Sequence, residues 1–105
     1  MTELEKQFWT NLKGQLTEAY PHAGMCTMVE PRSSDFDSGK PSFSGVASFL
    51  YLMDKTLMYT FTCHCSELQQ EQLSFKPDIL FNTRFYISTF HIHGDHLDIT
   101  LSLLS

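Results

Sequence analysis

The chain has 105 residues, and seven Lys or Arg against twelve Asp or Glu give it a formal net charge of −5. With 42% hydrophobic and 18% charged residues it is excluded from the disordered, collagen-like and charged coiled-coil classes, and it suits a single domain spanning residues 1–105. The basic residues are scattered with no adjacent pair, and the longest apolar run is Phe49 to Met53, so neither nucleic acid, nor an anionic lipid surface, nor a membrane span is expected.

The chain opens on Met1-Thr2-Glu3-Leu4-Glu5, acidic where a targeting peptide is basic. Thr2-x-x-Glu5 forms a capping box, in which hydroxyl and carboxylate satisfy free amides of a first helical turn. Leu4, Phe8, Leu12 and Leu16 then recur every four residues, joined by Trp9, Ala19 and Tyr20. This is the apolar stripe of a helix lying on a sheet, ended by Pro21. Gly14 interrupts the stripe's helix and suggests close packing against a neighbour.

Met25 to Glu30 reads as a short strand. The stretch from Pro31 to Ser42 has no hydrophobic period and reads as a long loop, with Phe36 as its one large apolar residue and a secondary candidate for partner contact. Phe43–Met53 and Leu57–Cys65 read as strands joined by a tight turn. In the second, Leu57, Tyr59, Phe61, Cys63 and Cys65 fall on the apolar face, and Met58, Thr60, Thr62 and His64 on the other. In the first, both parities are apolar at Phe49, Leu50, Tyr51 and Leu52, so one set is expected to need a cover from a partner protein or a second copy. Ser66-x-x-Gln69 caps a short helix through Leu73.

The last segment is the clearest. Arg84–His93 and His96–Leu104 flank Gly94-Asp95, a two-residue hairpin turn. The register pairs Ile92 with Leu97, Phe90 with Ile99, Ser88 with Leu101 and Tyr86 with Leu103 on an apolar face. On a polar face it pairs His93 with His96, His91 with Asp98 and Thr89 with Thr100. The expected fold is α+β: an N-terminal amphipathic helix on an antiparallel sheet of about five strands, with a short helix before a C-terminal hairpin.

Three cysteines, Cys26, Cys63 and Cys65, are an odd number for a secreted disulfide framework, which favours a reducing, cytoplasmic setting. Cys63 and Cys65 share the apolar parity and are expected in the core, away from the hairpin histidines. His91, His93 and His96 cluster at the hairpin tip at a spacing that can chelate zinc or form a pH-sensitive patch. The string His91-x-His93-x-Asp95-His96 also matches the H-x-H-x-D-H signature of metallo-β-lactamase-like hydrolases, but no His or Cys follows it to complete such a site. With no other catalytic motif, the chain is expected not to be an enzyme. No resident cofactor is expected.

The order helix, three strands, short helix, two strands on a small acidic chain resembles class I chaperones of type III secretion. It departs from them in showing no helix signal after the last strand. The resemblance implies a chaperone-like role in holding other proteins. The residues themselves point to a small protein-binding module, a regulator, inhibitor, adaptor or chaperone, acting through Phe49, Leu50, Tyr51 and Leu52 with Phe36 beside them. A metal-binding protein and a carrier of small hydrophobic ligands are the alternatives.

Overall fold

The computed structural model describes residues 2–35, 42–52, 54–65, 81 and 84–104, with the side chain of His22 left aside. Thr2 Oγ1 accepts the Glu5 N–H at 3.2 Å and opens helix α1, Glu3–Ala19. The Glu5 carboxylate meets the Thr2 hydroxyl at 3.4 Å rather than its amide. The four-residue stripe buries Phe8, Leu12 and Leu16, while Leu4 at its start is exposed. Tyr20 closes the helix by donating its N–H to the Leu16 carbonyl at 3.0 Å, and Pro21 begins a single 3-10 turn, Pro21–Ala23. Gly14 corrects the expectation of close packing, since a Cβ there would have no neighbour within 4 Å.

Five strands follow: β1 Cys26–Asp35, β2 Ser42–Tyr51, β3 Lys55–Cys65, β4 Phe85–His93 and β5 His96–Leu103, in sheet order β1-β2-β3-β5-β4. β1, β2 and β3 form an antiparallel meander and β4–β5 an antiparallel hairpin. The sheet is nevertheless mixed, because β5 pairs with β3 in parallel, which corrects the antiparallel expectation. The cause lies in the two hairpin strands. β5 buries Leu97, Ile99, Leu101 and Leu103 without interruption and so takes the interior position, leaving β4 at the edge. Residues 66–84 between β3 and β4 are long enough for the crossover that a parallel neighbour requires. The expected short helix from Ser66 to Leu73 lies outside the described residues.

β1 runs further than its sequence suggests. Pro31 lies inside it, tolerated because β1 is an edge strand. The hairpin register agrees with expectation from the tip to Thr89. Beyond that, an extra residue at Ser88 shifts the phase, so Ile87 and Phe85, not Ser88 and Tyr86, oppose Leu101 and Leu103. The bulge brings two apolar side chains to the core face and sends Tyr86 outward.

Period two then divides the sheet. The inner face, under α1, carries Phe43, Ala47, Phe49, Phe61, Cys63, Cys65, Phe85 and the β5 comb in one buried cluster with Phe8, Leu12 and Leu16. Its rings interlock: Phe8 lies 4.8–5.5 Å from Trp9, Phe43, Phe81 and Phe85. At the other end Tyr20, Phe49, Tyr59 and Phe90 meet edge-on or tilted at 5.4–5.8 Å. Gly45 is required by backbone proximity, because a Cβ there would run into the Glu30 carbonyl. Among the described residues no helix is long and apolar enough to cross a membrane.

Candidate protein-interaction surface

The outer face of the sheet is uncovered among the described residues, and register places its side chains in rows. One row runs Ser42, His64, Thr100, Thr89; the next Ser44, Thr62, Asp98, His91; the next Val46, Thr60, His96, His93. Hydroxyls and imidazoles therefore dominate, and hydrogen bonds link some of them across strands. Ser33 and Ser44 hydroxyls are 2.6 Å apart. The His96 ring bonds Thr60 Oγ1 through Nδ1 at 2.7 Å and Thr62 Oγ1 through Nε2 at 3.1 Å. Since a neutral imidazole has one donor and one acceptor nitrogen, one threonine donates to this ring and the other accepts.

That clamp decides what the hairpin histidines do. The turn sets His93 against His96 in register, but both His96 nitrogens are engaged on β3, and the His91 and His93 rings lie 6.2 Å apart at 36°. The three histidines share a face without converging on a point. Among the described residues no three His, Cys, Asp or Glu side chains are placed to hold a metal ion. Cys63 and Cys65 are buried on the opposite face, as the alternation predicts. Burial pushes the Cys65 thiol up to about 11 and raises Cys63 well above the ordinary value, with Cys65 and Asp98 adding to it. Both thiols are therefore held protonated near neutral pH.

The row of Met28, Ser48 and Met58 marks where the outer face turns apolar. Leu50 sits diagonally from Met58 on the same face, opposite Thr56, and its N–H donates to the Met25 carbonyl at 2.8 Å. Met25, Leu50, Leu52 and Met58 are 57%, 36%, 65% and 60% exposed. Leu52 stands in the β2–β3 turn with φ at +50°, left-handed geometry that a leucine adopts only at a cost.

The predicted quartet thus separates. Leu50 and Leu52 belong to the exposed corner, whereas Phe49 is fully buried on the inner face and Tyr51 is half-buried on that same parity. Phe49 is corrected from a contact residue to a core residue, because its parity places it under α1. Phe36 lies outside the described residues. Met25 and Met58 were not singled out from the sequence, although Met58 stood among hydroxyls and His64 on the polar parity of β3. The core rings pack against one another. A rim groove of about 320 Å³ remains between Trp9, Phe43, Phe81 and the Pro31–Ser34 segment.

No family model, curated protein or solved structure matches this chain.

Proposed function

We propose that this domain is a protein-binding module without chemistry of its own, holding an apolar segment of a partner protein at the Met25–Leu50–Leu52–Met58 corner. The observation that carries the reading is that corner itself. Met25, Leu50 and Met58 are exposed neighbours at one end of a sheet face that is otherwise hydroxyl-bearing, with exposed Leu52 in the adjoining turn. An apolar centre beside a polar rim is the composition of a docking patch. Methionine suits such a patch because its unbranched, polarizable side chain adapts to different surfaces. The serine and threonine rows alongside offer hydrogen bonds at the rim.

The test is selection of displayed random peptides on the intact chain. Apolar peptides should enrich, and should lose at least about tenfold in affinity on a Leu50→Glu, Met58→Glu double variant, the scale of a few lost apolar anchors. Circular dichroism should show the variant's fold unchanged. No enrichment, or peptides that bind the double variant equally well, would remove the reading.

A further inference from the structure

The sheet has two edges, and they differ in kind. β1 is guarded: it contains Pro31, an ion pair between Arg32 and Glu30 at 3.4 Å, and register shifts at Thr27 and Arg32. Proline, charge and bulges are the devices that stop an edge from pairing with another chain. β4 is not guarded in this way. Phe85 to His93 includes no Asp, Glu, Lys, Arg or Pro, and Tyr86 and Ile92 are 48% and 43% exposed.

The backbone of β4 shows which groups face outward. The Arg84 carbonyl accepts from the Leu104 N–H at 2.7 Å, so the even residues here face β5. Phe85 and Ile87 then face away, and both are met by one side chain. Gln15 Nε2 donates to the Phe85 carbonyl and Gln15 Oε1 accepts the Ile87 N–H, each at 2.8 Å. The amide of Gln15 thus takes the place of a peptide group on a neighbouring strand. Past the extra residue Ser88 the phase reverses. The two-residue turn closed by His93 and His96 directs residues 93, 91 and 89 toward β5, which leaves Phe90 and Ile92 facing outward. Among the described residues nothing pairs with those two.

The outward set is therefore 85, 87, 90 and 92, and it has a symmetry. A two-fold axis between Ser88 and Thr89 maps Phe85 onto Ile92 and Ile87 onto Phe90. We propose that β4 pairs antiparallel with β4 of a second copy of this chain about that axis, joining two sheets into one. A second copy is singled out because an uninterrupted strand falls out of register across Ser88–Thr89. Another β4 brings a matching extra residue to the same place. The cross-strand pairs are apolar and lie on the inner face, with Phe85 against Ile92 and Ile87 against Phe90. β4 itself brings no Asp, Glu, Lys or Arg to the seam. With β1 guarded, each chain offers one such edge, so pairing closes at two copies instead of running on into a fibre. Gln15 guards the same edge in the single chain and swings aside as the copies join. This edge is distinct from the Leu50–Met58 corner and does not depend on it.

The test is sedimentation of the full untagged chain over a wide concentration range. A monomer–dimer equilibrium is expected, tightened about tenfold or more by Gln15→Ala, which removes the competing hydrogen bonds, and abolished by Ile92→Lys. On the unaltered chain, amide hydrogen exchange at Phe90 and Ile92 should slow with rising concentration, a readout that does not require the lysine variant to fold. A chain that stays monomeric in both the native and Gln15→Ala forms would overturn the proposal. So would a dimer whose Phe90 and Ile92 amides exchange freely. A dimer lost on Leu50→Glu, Met58→Glu would place self-association at the outer corner, ending this proposal while leaving the docking corner intact.

Discussion

Two glycines show how differently one residue type acts in this chain. Gly45 lies in β2 where β1 crosses closest, and any Cβ would strike the Glu30 carbonyl. The obstacle is backbone in a paired strand, so relief requires moving β1. Gly45→Ala should cost about 1–3 kcal/mol, the usual cost of overpacking, and lower Tm by roughly 5–15 °C in a domain of this size. Gly14 lies mid-helix beside open space, where its lack of a side chain gives only added freedom to the unfolded chain. Gly14→Ala should therefore stabilise by about 0.5–1 kcal/mol. Thermal melts of the two variants should move in opposite directions. A fall in Tm for Gly14→Ala would mean that α1 packs against something at that position after all.

Between elements, one hydroxyl ties α1 to β1. Thr17 Oγ1 donates to the Lys13 carbonyl at 3.0 Å and accepts the Cys26 N–H at 2.9 Å, joining the last turns of α1 to the first residue of β1. Thr17→Val keeps the shape but leaves that amide without an acceptor, which should cost about 1–3 kcal/mol in urea unfolding, with Thr17→Ser recovering most of it. A valine variant as stable as the native chain would show that water replaces the hydroxyl freely. Such a tie was invisible in the sequence, where Thr17 is one polar residue among several. What periodicity encodes was legible: α1 from its cap and four-residue stripe, the strands from alternation, and the tip register from Gly94-Asp95. Periodicity is local, however, and carries no signal for which strand neighbours which. The parallel β3–β5 pairing and the bulge at Ser88 follow from competition between β4 and β5 for the interior. The docking corner was half legible. Two apolar parities at residues 49–52 announced a second face, yet assigning each residue to its face required the register with β3.

At the scale of the whole molecule, one core buries all three cysteines, and this couples folding to alkaline pH. Burial pushes the Cys26 and Cys65 thiols up to about 11 and raises Cys63 well above the ordinary thiol value. The hydrogen bond that the Tyr59 hydroxyl shares with Tyr20, with burial adding to it, pushes that hydroxyl up to about 12. An unfolded thiol ionises at about 8.5 and an unfolded tyrosine at about 10. Below about pH 7.5 both states hold these protons, and stability does not depend on them. Between about 9 and 11 the unfolded chain releases protons that the fold retains, so unfolding gains free energy as pH rises. Above about 11 Cys26 and Cys65 ionise in the fold as well, and their share of the stability is gone. Tm should thus be nearly level up to about pH 7.5, begin to fall near about pH 8 and fall steeply from about 9 to 11, with Cys65→Ala flattening part of that fall. Thiol labelling at pH 9 gives an independent check, because buried protonated thiols react only when the chain opens. Labelling rates should track the global unfolding rate. Fast labelling of Cys26 or Cys65 in chain that remains folded would show thiolates already present, and the alkaline fall would then need another source.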